Sequence, residues 1–199
     1  MTRQPARVHL TIVSVLTLLL VAMTALPANA ITPKRRTGAE DVTFKLVNCI
    51  RTGGHVTKAG KCKGRGTGKY SKYVKPLKRS SKISREVSWR WARKSVTFKG
   101  TRACWIGHRW NGSTVDTRFA SASLSKRIAN GENMGCGMWG GAQVTAVQLV
   151  RMWQAEKSYR GPHWKQIKDK DFQSAGVGVA KYGSRKVQLV MNFYGKVVE

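Results

Sequence analysis

The sequence AGVGVAKYGSRKVQLVMNFY, residues 175–194, decides the fold of this chain. Valine and aromatic residues are dense on both sides of Tyr182-Gly183-Ser184-Arg185, which has the composition of a turn. Two segments of high β-propensity joined by a short turn predict an antiparallel hairpin, with strands over 175–181 and 186–194. The chain is therefore expected to close with β-structure.

Helical periodicity precedes the hairpin. Apolar side chains recur at helical spacing over residues 39–51, and Gly53-Gly54 ends that helix. Three further helices are predicted: one that begins at Ser84 as its N-cap, with Glu86 in its first turn, one over 121–130 that Gly131 stops, and one over 143–157. The residues expected on the buried faces are Val42, Leu46, Val47 and Ile50; Val87, Trp91 and Val96; Leu124 and Ile128; and Val144, Val147, Val150 and Trp153. Helices followed by a closing hairpin predict one α+β domain without internal repeats.

The first thirty residues have the three parts of a secretory signal peptide. Arg3 and Arg7 give a positive start, residues 10–23 are almost wholly apolar, and Ala28-Asn29-Ala30 supplies the small residues of a cleavage site. The apolar run is shorter than the ~20 residues that span a bilayer, which disfavours the alternative of an uncleaved membrane anchor. We expect cleavage after Ala30 and a secreted, extracellular product of 169 residues that has no transmembrane span.

All four cysteines, Cys49, Cys62, Cys104 and Cys136, follow the predicted signal peptide. An even number of cysteines in an exported chain predicts two disulfide bonds. Of the three possible pairings we favour Cys49–Cys62 with Cys104–Cys136, because each bond then closes a local loop. A zinc site is the alternative, but no C-x-x-C spacing is present.

The chain is a strongly basic protein, with 37 Lys+Arg against 9 Asp+Glu and a net charge of +28. The first thirty residues carry two arginines and no acidic residue, so their removal leaves about +26. A loose basic tail is predicted over 31–39, and a long basic loop held at one end by Cys62 is predicted over 57–73, where Tyr70 and Tyr73 lie among lysines. Such a charge attracts anionic polymers, anionic membranes and nucleic acid.

Short motifs occur in a fixed order along the chain. They are Leu46-Val47-Asn48 with Arg51, then Gly131-Glu132-Asn133, Trp153-Gln154-Ala155-Glu156, His163 with Ile167, Gly176-Val177-Gly178-Val179-Ala180 and the closing strand. They resemble the L-x-N-x-x-R, G-E-N, W-x-x-E, H-x-x-x-I and G-V-G-V-A elements of the CAP superfamily, the domain shared by cysteine-rich secretory proteins, antigen 5 and pathogenesis-related proteins. The signal peptide and the small cysteine set resemble a bacterial, actinobacterial-type secreted member. The CAP (SCP-like) domain is expected over 40–199.

This resemblance implies an α-β-α sandwich with a small antiparallel sheet and a central cavity lined by two histidines and two glutamates. Carried over by motif, Glu132, Glu156 and His163 are three of these residues. The first histidine of the family precedes G-E-N, and here it corresponds to His108.

Two imidazoles and two carboxylates in one cleft can act in two ways. They can ligate a divalent metal such as zinc, or they can hydrogen-bond one another and hold the shape of the cleft. A metal-bound water flanked by a carboxylate would make the cleft hydrolytic, with Glu132 and His163 as candidate catalytic residues. The sequence contains no serine elbow, H-E-x-x-H or Cys/His signature, so a non-catalytic role is favoured.

Charge and resemblance together predict a secreted CAP-domain protein that binds an anionic envelope component, either a cell-wall polymer or a lipid surface. The alternatives are a metal-dependent extracellular hydrolase that uses the His/Glu cleft and an extracellular nucleic-acid-binding protein. Trp139, beside Gly140-Gly141, is a loop aromatic that could stack on a ligand or pack at the rim of the core. His55 is expected to be an exposed loop residue. The sequence does not indicate an oligomeric state.

Overall fold

Helices and strands, some only two residues long, are interspersed along the chain. The computed structural model describes residues 31–124 and 129–195, and the signal peptide predicted over 1–30 lies outside them. In chain order the elements are β1 (Lys34–Arg35), α1 (Thr37–Arg51), β2 (His55–Val56), β3 (Cys62–Lys63), β4 (Lys78–Arg79), α2, which is a π-helical turn (Ile83–Ser88) continued by α-helix (Trp89–Ser95), α3 (Val115–Ser121), β5 (Asn130–Gly137), α4 (Ala142–Ala155), a 3₁₀ turn (Glu156–Tyr159), α5 (Pro162–Lys168), β6 (Ser174–Tyr182) and β7 (Lys186–Tyr194). This mixture of helices and mainly antiparallel strands confirms the predicted α+β class.

The predicted hairpin is confirmed, and it forms the centre of the sheet. β7 pairs antiparallel with β6 on one side and with β5 on the other. The free side of β6 pairs with two short strands, β4 in parallel at its start and β1 antiparallel at its end. β2 and β3 pair separately. β5 is therefore an edge strand, and the chain that enters and leaves it runs along the rim of the sheet.

Helices cover both faces of the sheet. Val177 and Leu189 face α1, α4 and α5, where they pack with Trp153 in the larger core. Val190, one position further along β7, packs instead with Trp91 of α2. Because successive side chains of a strand point to opposite faces, neighbouring residues of β5, β6 and β7 belong to different layers. The helices and the sheet thus form three layers, helix, sheet and helix.

Glycines in β6 let α2 approach the sheet closely. A Cβ on Gly176 would overlap the backbone of Ser84, and a Cβ on Gly178 would overlap the backbone of Ser88 and Trp89. The hydroxyl of Ser88 donates a hydrogen bond to the carbonyl of Gly176 at 3.0 Å. The G-V-G-V-A pattern therefore places small residues under α2 and valines in the opposite core.

The L-x-N-x-x-R motif joins α1 to three distant segments. The side chain of Asn48 donates to the carbonyl of Leu77 at 3.1 Å and accepts from its backbone N–H at 2.8 Å. Arg51 is fully buried, and burial lowers its pKa to about 10, an effect that nearby Asp169 opposes. The Arg51 guanidinium donates to four backbone carbonyls, those of Lys75, Ile167, Asp169 and Phe172. These two side chains satisfy backbone groups that irregular segments would otherwise leave unpaired.

Both predicted disulfide bonds are confirmed, Cys49–Cys62 and Cys104–Cys136. The predicted loose tail over 31–39 is wrong from Lys34 onward, because Lys34 and Arg35 pair with the end of β6 and Thr37 already begins α1. Arg35 is held there by the buried carboxylate of Glu40, at 2.8 Å. No helix within residues 31–124 and 129–195 has the length and apolarity needed to cross a membrane.

The helix predicted over 121–130 is wrong in position. The helix in this region, α3, starts at Val115 because Thr114 and Thr117 form a capping box, and it ends at Ser121. Residues 125–128, with Ile128, lie outside the described residues, and Asn130 already begins β5. Gly131 is a strand residue whose missing Cβ makes room for Gln166 and Phe172.

Two further predictions need correction. Ser84 is not the N-cap of α2: the helical segment begins at Ser81, and the Oγ of Ser80 accepts from the N–H of Ile83. Val144 is exposed rather than buried, since the inner face of α4 consists of Thr145, Ala146, Leu149, Val150 and Trp153.

Candidate functional site

Glu132 is the centre of a buried polar network on the α2 side of the sheet. Its Oε1 lies 2.9 Å from Nδ1 of His108. Its Oε2 accepts hydrogen bonds from Arg118 at 2.6 Å and from Asn192 at 2.9 Å. Ser88 extends the network, because its hydroxyl lies 2.9 Å from Oδ1 of Asn192. Side chains from α3, β7 and the loop of His108 thus meet at one carboxylate of β5, and α2 joins them through Asn192.

Arg118 is the cation of this network. Its guanidinium lies over the ring of Trp91, 4.1 Å from the ring centroid, and donates to the carbonyl of His108 at 3.1 Å. Burial lowers the pKa of Arg118, and the adjacent carboxylate of Glu132 opposes that shift. The ion pair therefore compensates a buried charge, and loss of either partner would leave the other uncompensated.

The second His–Glu pair caps helix α5. The carboxylate of Glu156 accepts from the backbone N–H groups of His163 at 2.9 Å and Trp164 at 3.3 Å, and it lies 2.5 Å from Nδ1 of His163. The ring of His163 stacks on Trp153. A Cβ on Gly161 would come within 2.5 Å of the Glu156 carboxylate. The W-x-x-E and H-x-x-x-I motifs thus build a tight turn between α4 and α5.

The sheet separates the two pairs. Glu132 points toward α2 and α3, whereas the next residue, Asn133, points to the other face and donates to the carbonyl of His163 at 3.2 Å. The glycines on either side of Glu132 agree with this alternation, since a Cβ on Gly131 or Gly135 would meet side chains of the α4 and α5 layer. The structure therefore brings His108 to Glu132 and His163 to Glu156, but it does not bring the four residues together.

The predicted His/Glu set does not fit a single metal ion in this arrangement. No group of three or more His, Cys, Asp or Glu side chains able to hold a metal occurs among the residues that the structure describes. In both pairs the Nδ1 atom of the imidazole is already bonded to a carboxylate, so each ring offers only its Nε2 atom. What the geometry provides directly is an oriented, half-exposed His108 ring with a carboxylate behind it.

Two members of the network have no signal in the sequence. Arg118 and Ser88 lie in segments with no motif of their own, and only folding brings Arg118 to Glu132 and Ser88 to Asn192. Asn192 does carry a signal, because it is a polar residue within the apolar run of β7. The register places it directly opposite Glu132.

A cavity of about 380 Å³ opens beside Arg118. Its lining includes Arg90, Lys94 and the indole of Trp91, and its one carboxylate is that of Glu86. Because Glu132 compensates the charge of Arg118, Arg90 and Lys94 face one carboxylate and the cavity carries a small positive charge.

The predicted basic loop over 57–73 packs in a defined conformation against α1 and α5. The N–H of Tyr70 donates to the carbonyl of Gly53 at 2.8 Å, and the N–H of Val74 donates to the carbonyl of Arg51 at 3.0 Å. The ammonium groups of Lys157 and Lys168 also donate to loop carbonyls. This loop exposes seven cations, which we call the basic loop surface: Lys58, Lys61, Lys63, Arg65, Lys69, Lys72 and Lys75.

Three acidic side chains are withdrawn from the surface. Glu40, Glu132 and Glu156 are buried, and each lies against an arginine or a histidine. Asp41 forms an ion pair with Arg79. No acidic residue occurs from residue 42 to residue 85. Since few carboxylates remain outside, the exposed lysines and arginines produce a strongly positive surface.

The aromatic residues singled out from the sequence lie at the surface. Tyr73 and Trp139 are exposed, and His55, an exposed residue as predicted, packs with its ring 5.5 Å from that of Tyr70. The carbonyl of Trp139 accepts a hydrogen bond from Thr145 at 2.8 Å, which fixes the start of α4.

Comparisons with known proteins show a similarity of fold but assign the chain to no family. No protein-family model matches the chain, and no curated protein matches it. Among solved structures it is similar to an outer surface protein from Borrelia burgdorferi, with a TM-score of 0.54 and 12% sequence identity over 84% of this chain and 99% of the other. At this identity the likeness concerns the fold alone.

Proposed function

We propose that this chain is a secreted, non-catalytic binding protein that attaches to an anionic component of a cell envelope. The observation that carries the proposal is the division of charge between interior and surface. Glu40, Glu132 and Glu156 are buried and paired inside the fold, whereas most lysines and arginines face the solvent. A surface of this kind binds polyanions by charge, without a deep cleft.

The basic loop surface is the region best suited to such binding. Its seven cations lie on a segment tied to α1 by Cys49–Cys62 and by backbone hydrogen bonds. A fixed array of cations loses less conformational entropy on binding than a flexible tail does. Lys157 and Lys165 are exposed on the neighbouring helical segments and extend the positive area.

Two features support export. The N-terminal sequence has the composition of a signal peptide, and the two disulfide bonds are typical of proteins that function outside a reducing cytosol. The order of the sequence motifs and the three-layer architecture favour a CAP-type domain, which we propose as the family.

The geometry favours binding over hydrolysis. A metal-dependent hydrolase needs several ligands around one ion and a polarised water. In this chain the two His–Glu pairs lie on opposite faces of the sheet, and each is engaged in holding neighbouring segments. His108 and His163 are therefore assigned to the framework rather than to a reaction.

Retention on anionic supports tests the proposal. The mature protein is expected to bind dextran sulfate, isolated cell wall and phosphatidylglycerol vesicles at low salt, and to be released from the two polymers at high salt. The triple variant Lys61→Gln/Arg65→Gln/Lys69→Gln should lose about a hundredfold in affinity for dextran sulfate, because each cation near an anionic surface contributes about 1 kcal/mol. The matched control Lys82→Gln/Arg85→Gln/Arg93→Gln removes three solvent-accessible cations from the α2 side of the sheet, outside the cavity beside Arg118, and should lose much less.

Three outcomes would count against this assignment. Failure of the wild-type protein to bind any of the three supports at low salt would refute the proposed function. An equal loss of affinity in both triple variants would refute the role of the basic loop surface. Displacement by an oligonucleotide at far lower concentration than by any envelope polymer would favour the nucleic-acid alternative.

A further inference from the structure

Large apolar side chains are exposed near one end of the molecule, where β6 turns into β7 at residues 183–185. We call it the hairpin-turn end. These side chains are Ile106 (62% exposed), Val144 (52%), Trp110 (48%), Trp139 (44%) and Met138 (40%). They come from two separate segments, 97–110 and 137–144. Isolated exposed apolar residues are ordinary in soluble proteins, but a concentration of them at one end indicates a contact surface.

Covalent and polar links hold these segments together. The bond Cys104–Cys136 ties the chain just before Ile106 to the end of β5, and Met138 and Trp139 follow directly. The ammonium of Lys186 donates to the carbonyls of Phe98 and Gly100, at 2.7 and 2.8 Å, which fixes the preceding loop beside the hairpin turn.

Aromatic packing fixes Trp110 in the same region. Its ring centroid lies 4.7 Å from that of Phe98 and 6.1 Å from that of Trp105. The exposed apolar side chains therefore project from a supported framework rather than from free loops.

The hairpin-turn end is also free of carboxylates. Segments 32–39, 97–110, 137–144 and 181–187 contain no acidic residue. Their exposed cations are Lys34, Lys99, Arg102, Arg109 and Arg185. Helices α1 and α4 both begin here, around an open pocket of about 540 Å³ lined by Arg35, Arg36 and Lys181, so the positive ends of their dipoles add to the field.

We infer that the hairpin-turn end docks on an anionic phospholipid bilayer. Ile106, Trp139 and their apolar neighbours insert at the level of the headgroups, and the surrounding lysines and arginines bind the phosphates. This inference rests on the proposed function and specifies a lipid surface as the target. The chemistry favours lipid over a polymer, because a polyanion calls for cations alone, whereas a bilayer interface also accommodates tryptophan and aliphatic side chains next to cations.

Co-sedimentation with vesicles tests the inference. The probes are vesicles of phosphatidylcholine alone and of phosphatidylcholine mixed with phosphatidylglycerol. The double variant Ile106→Ser/Trp139→Ser keeps every charge, and its affinity for the anionic vesicles should fall at least tenfold. The control Met152→Ser removes an equally exposed apolar side chain (55%) near the C-terminal end of α4, and it should bind like the wild type.

Three further readouts separate this inference from the proposed function. Binding of the double variant to dextran sulfate should be unchanged. Tryptophan emission of the wild-type protein should shift to the blue on anionic vesicles, and part of the binding should survive high salt. Wild-type affinity in the double variant, an equal loss in Met152→Ser, or complete reversal by salt without a blue shift would overturn lipid insertion. Retention on dextran sulfate would then still support the proposed function.

Discussion

Substitution of Glu132 by glutamine tests whether the His/Glu residues form the framework. The variant keeps the shape of the side chain and removes its charge. The amide oxygen of glutamine can still accept from Arg118 and Asn192, which share Oε2 of Glu132, but the amide nitrogen then faces Nδ1 of His108 and the negative charge is lost. The Arg118 guanidinium then stays buried against Trp91 without its counter-ion.

The expected cost follows from these contacts. Removal of one partner of a buried ion pair destabilises proteins by about 3–5 kcal/mol. His108 is half exposed and can change its tautomer to accept from the new amide, which reduces the loss. We therefore expect Glu132→Gln to lower the free energy of unfolding by about 3 kcal/mol, at the lower end of that range.

A double-mutant cycle isolates the ion pair. Urea unfolding, followed by tryptophan fluorescence with the disulfides intact, gives the free energy of unfolding for the wild type, Glu132→Gln, Arg118→Met and the double variant. Because methionine removes the stranded cation, the double variant should lose less than the sum of the single losses, with a coupling of about 2 kcal/mol. All four proteins that remain folded should bind dextran sulfate and anionic vesicles equally, since no residue of the basic loop surface or of the hairpin-turn end changes.

Two results would refute this reasoning. The first is a loss below about 1 kcal/mol in Glu132→Gln with no coupling to Arg118, which would mean that the network does not support the fold. The second is a stabilisation of the wild type by zinc that disappears in Glu132→Gln, which would indicate that Glu132 is a metal ligand.

Two substitutions test how the motifs build the fold. Gly178→Ala places a Cβ against the backbone of α2 and should cost about 3 kcal/mol in thermal or urea unfolding, whereas Gly141→Ser, in open space at the start of α4, should change stability by less than about 0.5 kcal/mol. Arg51→Met leaves four backbone carbonyls without their donor and should cost about 4 kcal/mol, against less than about 0.5 kcal/mol for the exposed Arg85→Met. Equal effects within either pair would contradict the assigned contacts.

Short-range sequence patterns predicted the elements that depend on interactions between residues close in sequence. The hairpin, helix α1 and both disulfide bonds follow from short-range pattern and spacing. Helix α3 was misplaced because the periodicity of Leu124 and Ile128 competed with the capping box at Thr114, and the cap fixed the start of the helix. A cap operates over three residues and is easily overlooked beside a longer apolar pattern.

The site was only partly predictable for a physical reason. Each histidine meets its glutamate, yet the side of the sheet on which a pair lies depends on strand alternation. Glu132 and Asn133 are neighbours in sequence and belong to opposite layers. Motif order alone could not show that β5, an edge strand, would separate the two pairs.

The motif residues support the fold and the surface residues are available for binding, and this difference has a consequence for function. Asn48, Arg51, Gly178, Glu132 and Glu156 all bond to or lie against the framework, so changes at these positions act on stability. The cations of the basic loop surface and the exposed side chains of Ile106, Met138 and Val144 extend into solvent and can change at little cost to the fold. If binding resides in those surfaces, stability and binding must respond to different substitutions. A framework variant that stays folded but fails to bind, such as Glu156→Gln, would show instead that the two are coupled through the turn between α4 and α5.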